Sequence, residues 1–173
     1  MKEISPEFSY MVDVNRIPTS GLSLNLQANE EQKSALAKRF GLEEIRSLTA
    51  EMTFKRINKK RVRVDARFNA EVKQICVVTL EPFNQSVKDE FSVVFSQEDD
   101  VSLRLNEIDM DMNEDDDVEF LQSDKIDAGE LIAEYLSLSL DPFPHAPNAK
   151  FESESDAETE KNAFSVLEKL KFK

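Results

Sequence analysis

Tryptophan is absent from this chain, and cysteine and histidine occur once each, as Cys76 and His145. A single cysteine excludes an intramolecular disulfide, which suits a reducing compartment. One Cys and one His also exclude any multi-His or Cys/His metal site. Glycine is scarce, with only Gly21, Gly41 and Gly129, so no glycine-rich loop is available to cradle a phosphate. No apolar run approaches the roughly 18 residues that a membrane helix requires, and Met1 to Pro6 lacks a signal-peptide pattern. A cytoplasmic location with no membrane partner is the expectation.

What is abundant is charge, unevenly placed. Of 173 residues, 22 are Lys or Arg and 35 are Asp or Glu, a formal net charge of −13. That balance favours solubility and repels bulk nucleic acid. The basic residues concentrate in the first half, including Lys55, Arg56, Lys59, Lys60, Arg61, Arg63 and Arg67. The acidic ones crowd the second half, most densely from Glu107 to Glu119. Asymmetry of this kind hints at interaction surfaces, although two solvated faces of an ordinary domain give the same pattern.

Hydrophobic periodicity outlines the elements. Phe8, Tyr10, Val12 and Val14 alternate as in a half-buried strand, and Leu22, Leu24 and Leu26 do so after a turn at Pro18 to Gly21. Asn29 with Gln32 forms a capping box for a helix over 30–40, and Gly41 is placed to end it. Leu42 to Ser47 reads as a further short helical turn. Leu48 to Lys55 and Arg61 to Ala70 then alternate on either side of a turn at Asn58 to Lys60, a hairpin with its apolar set inward. The outward set brings Lys55, Arg61, Arg63 and Arg67 together, with Lys59 and Lys60 at the tip. This is the one coherent basic surface in the pattern. The bland alternative is the polar outer face of a sheet.

Lys73 to Glu81 reads as a central apolar strand ended by Pro82. Phe91, Val93 and Phe95 alternate in another, and Val101 to Leu105 suggests a short one. Asp127 with Glu130 makes a second capping box, flanked by Ile126 and Leu131 as a hydrophobic staple. The apolar helix that follows stops before Asp141-Pro142. The expected fold is therefore α+β: a curled or barrel-like antiparallel sheet, two main helices, and a flexible acidic tail ending in a short helix. The expected divisions are a domain over 1–147, an acidic disordered linker over 148–161, and an amphipathic helix over 162–173 with Phe164, Leu167 and Leu170 on one face.

Catalytic chemistry finds little footing. Cys76 lies in an apolar strand, which favours a buried structural thiol over a nucleophile. Carboxylates are plentiful, but no spacing singles out an acid/base pair. Asp109-x-Asp111-x-Asn113 opens like a calcium loop, yet the sixth position is Glu114 rather than Gly and the twelfth is Phe120 rather than Glu. No metal, no cofactor and no small-molecule substrate is expected.

Two blocks carry a resemblance. Gln74 to Phe83 reads Gln-Ile-Cys-Val-Val-Thr-Leu-Glu-Pro-Phe, a cysteine, a β-branched run and Leu-Glu-Pro; Ile126 to Pro144 holds Ile-Asp-x-Gly-Glu, an apolar helix and Leu-Asp-Pro-x-Pro. Together they resemble the bacterial YceD family, the large ribosomal RNA subunit accumulation proteins. The resemblance extends from Phe8 to Pro147, plus Asn162 to Leu167 in the tail. It departs at His145, where the family is usually basic, and at Ala163, where proline is frequent. It implies a non-enzymatic factor for large-subunit biogenesis that supports synthesis, processing or accumulation of 23S rRNA. The implied partner is large-subunit rRNA or its precursor, and a basic large-subunit ribosomal protein is the alternative. Pattern alone, with no family role attached, selects Lys55, Lys59, Lys60, Arg61, Arg63 and Arg67 for RNA. The competing reading is an acidic escort that binds a basic ribosomal protein through Asp109, Asp111, Glu114, Asp115, Asp116 and Asp117 without touching RNA.

Overall fold

The hairpin predicted in the middle of the chain is the spine of the molecule. In a computed structural model that describes residues 6–97, 117–147 and 149–150, β3 (Glu44–Arg56) pairs antiparallel with β4 (Arg61–Ile75), from Glu44 opposite Lys73 to Arg56 opposite Val62. Alternation sends Leu48, Ala50, Met52 and Phe54, with Val62, Val64, Phe68 and Val72, to one buried face. β2 (Leu22–Gln27) flanks β3, and β5 (Pro82–Ser96) pairs with β4 along its whole length. β6 (Asp117–Phe120) lies parallel to the end of β5, giving the order β2-β3-β4-β5-β6. β1 (Met11–Asp13) and β7 (Lys125–Asp127) form a separate two-stranded ribbon.

Helices cover the apolar face. α1 (Glu30–Phe40) starts where the sequence says it should: the Asn29 side chain accepts from the Gln32 N–H and the Gln32 side chain accepts from the Asn29 N–H, each at 2.9 Å. It ends at Gly41, whose φ of +69° is readily adopted only without a Cβ. α2 (Ala128–Ser139) buries Leu131, Ile132, Ala133 and Leu136 and stacks Tyr135 on Phe91 of β5, with rings 3.6 Å apart. Residues of both helices and of the sheet share one core cluster. Truncating a fully buried ring there, such as Phe54, costs about 3–5 kcal/mol.

The α+β class, with two helices among the described residues and mostly antiparallel pairing, is thus as expected. The curled or barrel-like closure is not: β2 and β6 are edges with no pairing between them. Once α1 and α2 hide the apolar face, the sheet has no need to close on itself to bury it.

Three local expectations are also corrected. Leu42 to Ser47 is not helical; the Glu43 N–H bonds to the Lys73 carbonyl at 3.1 Å and leads the chain into β3. Lys73 to Glu81 is not one strand. β4 stops at Ile75, a turn follows, and Pro82 begins β5 rather than ending a strand. Phe8 to Val14 is not strand throughout: only Met11–Asp13 is extended in the ribbon, and Tyr10 is exposed. The expected strand at Val101 to Leu105, the terminal helix, and most of the acidic run and of the linker lie outside the described residues.

Candidate nucleic-acid interface

The basic tip is built by the turn between β3 and β4. The Asn58 side-chain oxygen accepts from the N–H groups of Lys60 and Arg61 at 2.8 and 2.9 Å, which fixes the turn. The Gln97 N–H donates to the Lys60 carbonyl at 2.9 Å, tying the turn to the end of β5. Lys59 and Lys60 are exposed at its apex. Behind them Lys55 and Arg63 are direct register partners, so two cations stand side by side on the outer face. Such a like-charged pair is unfavourable by itself. Asp65 offsets it, accepting from Arg63 Nε at 2.8 Å and lying 4.0 Å from Lys55 Nζ. Burial works against ionisation of Asp65, but hydrogen bonds from Arg63 and Ser92 outweigh it and hold the carboxyl below its usual range.

The structure does not bring all six predicted residues to one surface. Arg61 is buried, 7% exposed, although alternation places it outward. Arg67 donates to Glu51 through Nε at 2.9 Å and through Nη2 as well. Its other strand neighbour is Glu90, and with Asp65 these residues line a shallow depression holding three carboxylates to one guanidinium. The cationic patch therefore comprises Lys55, Lys59, Lys60 and Arg63, and gives way to acid by Arg67. Arg56, adjacent in sequence, turns its guanidinium inward and donates to the Val14 carbonyl at 2.6 Å. Of the acidic set, Asp117 opens β6 opposite Val93, while Asp109, Asp111, Glu114, Asp115 and Asp116 fall outside the described residues.

A second arrangement surrounds Cys76, which the sequence pattern assigns to a strand. The buried thiol sits at the root of the β4–β5 turn, where Sγ accepts from the N–H of Val78 at 3.4 Å and of Thr79 at 3.5 Å. An N–H from Ala146 and the Thr79 hydroxyl also point at it. The Ala146 N–H foremost, then the Thr79 hydroxyl, pull the thiol down to a pKa of about 6. Burial of the sulfur opposes this and is outweighed. The thiol thereby joins the turn to the segment after α2, and the Val77 N–H strengthens that joint by donating to the Pro144 carbonyl at 2.9 Å.

Among the described residues no cluster of His, Cys, Asp and Glu is arranged to hold a metal ion, and no helix is long and apolar enough to cross a membrane. The fold is that of a small α+β domain with one helix-covered and one polar sheet face. The family model for the large ribosomal RNA subunit accumulation protein YceD matches residues 64–171, well over half of the chain, and the chain belongs to that family. Neither the curated proteins nor the solved structures give a match. The match begins within β4 rather than at Phe8, where the resemblance begins. It includes the Cys76 turn, α2 and the segment after it, but of the six candidate cations only Arg67.

Proposed function

We propose that this protein is a non-enzymatic factor in biogenesis of the large ribosomal subunit that binds rRNA or its precursor through the β3–β4 tip. Membership in a family associated with accumulation of large-subunit rRNA supports the general role. The observation that carries the contact site is the pairing of Lys55 with Arg63 beneath Lys59 and Lys60. Phosphates neutralise such a group of cations, and the released counterions make binding salt-dependent. Phe54 and Phe68 face the core, so neither offers a stacking surface to bases. The test is joint substitution of Lys55, Lys59, Lys60 and Arg63 by alanine, with affinity for large-subunit rRNA measured across a salt series. The slope is expected to fall by about 0.7–0.9 for each phosphate that the variant no longer neutralises. Unchanged affinity and slope overturn the assignment, and Arg67→Ala, which removes a cation from the acidic depression rather than from the tip, serves as the control.

The net charge of −13 favours a second reading, an escort that holds a basic ribosomal protein through Glu107 to Glu119. Deleting Glu114 to Asp117 then slows association with such a protein and flattens its salt dependence. Unaltered kinetics dismiss it.

A further inference from the structure

Four large apolar side chains stand in water at the end of the sheet opposite the basic tip. Ile75, Val77, Leu80 and Phe143 are 46, 45, 75 and 69% exposed. They belong to two segments that the fold fastens together, the β4–β5 turn and the stretch after α2. The bond from Val77 to Pro144 joins them, and the Gln74 side chain donates to the Asp141 carbonyl at 3.4 Å. Leu80 is held at φ +58°, a conformation that leucine takes only when its surroundings impose it. Its N–H is fixed to the Cys76 carbonyl at 2.9 Å. An exposed apolar group presented on a fixed frame is a docking surface in want of an occupant.

We infer that residues 162–173 of the same chain occupy it, as an amphipathic helix. Phe164, Leu167 and Leu170 recur at helical spacing and give that segment an apolar face to match. Where the described chain ends makes the reach short. The Ala149 N–H bonds back to the Ala146 carbonyl at 2.9 Å, so the chain departs within a few residues of Phe143 and Pro144. From Lys150, the residues before 162 span up to roughly 40 Å when extended, ample for a return. Charge agrees as well: Glu81 and Asp141 are exposed beside the patch, and the segment carries Lys169, Lys171 and Lys173. The family match runs on to residue 171, so patch and segment fall within one shared pattern. A helix of this length is marginal alone. A tether that holds it at an effective concentration of roughly millimolar lets even a weak contact persist.

The test places a photoreactive benzoylphenylalanine at position 143 of the full-length chain, an exposed site that tolerates it. Illumination is expected to yield a cross-link to a peptide from 162–173 at monomer mobility, and the full-length Leu167→Asp/Leu170→Asp variant is expected to lose it. Hydrogen exchange at Val77 and Leu80 is expected to rise several-fold in the same variant. A cross-link between two chains, a cross-link elsewhere, or exchange and cross-linking indifferent to the double substitution would each overturn the inference.

Discussion

Arg39 and Glu130, 91 positions apart, meet through two bonds: Nη1 donates to Oε2 at 3.0 Å and Nη2 to Oε1 at 2.7 Å. This fork joins the last turn of α1 to the first turn of α2, and Glu7 adds a third carboxylate contact at 3.0 Å. Glu130, and to a lesser degree Glu7, hold the guanidinium in its charged form more firmly than water does.

Both side chains keep about a third of their surface in water, 37% for Arg39 and 31% for Glu130, so the pair ranks with surface ion pairs. Arg39→Ala is expected to lower unfolding free energy by about 1 kcal/mol in urea denaturation. Glu130→Ala should cost about the same, and the double variant distinctly less than the sum of the two, as for any directly coupled pair.

Gly129 tests a close approach. A Cβ at this position meets the Phe8 carbonyl oxygen at 2.5 Å, a backbone atom that cannot swing aside. Gly129→Ala is expected to cost about 1–3 kcal/mol, as overpacking does. Gly41→Ala faces open space but a φ of +69°, and its cost of about 1–2 kcal/mol comes from backbone conformation alone. Crystal structures of the two variants distinguish the causes: Gly129→Ala displaces the segment around Phe8, whereas Gly41→Ala alters only the end of α1.

Cys76 predicts a pH profile. Its thiol ionises at about 6 in the folded chain and near its ordinary value of 9.0 in the unfolded one. A lowered acid pKa stabilises fully above the unfolded value, and that stabilisation fades as pH falls through the folded one. Unfolding free energy is therefore expected to climb between about pH 6 and pH 9 in the native chain. In Cys76→Ala that part of the slope disappears. Equal slopes in the two proteins would show that the thiol stays protonated when folded.

Local rules made much of this fold legible. Asn29, Gln32 and Gly41 mark α1 to the residue, and strict alternation through β3 and β4 predicts the buried face. The failures trace to partners distant in sequence. Val77-Val78-Thr79 reads as strand because β-branched residues suit strands. The sulfur of Cys76 and the carbonyl of Pro144 instead draw its N–H groups into a turn. The second capping box is only half present: Asp127 accepts from the Gly129 and Glu130 N–H groups, but Arg39 has taken the Glu130 carboxylate. On the candidate interface, the pairing of Lys55 with Arg63 follows from the turn position. The burial of Arg61 and the engagement of Arg67 by Glu51 do not, because alternation specifies a side chain's face and not what lies against it.

β6 accompanies only Val93 to Ser96, so from Pro82 to Ser92 the outer edge of β5 has no strand neighbour among the described residues. An unguarded edge of that length invites strands from other molecules to add on. Lys88, Asp89 and Glu90 stand exposed midway along it. A foreign strand pairing there has to bring its own side chains against three consecutive charges. Among the described residues, the part of β5 without a strand neighbour is thus costly to extend although the sheet stays open.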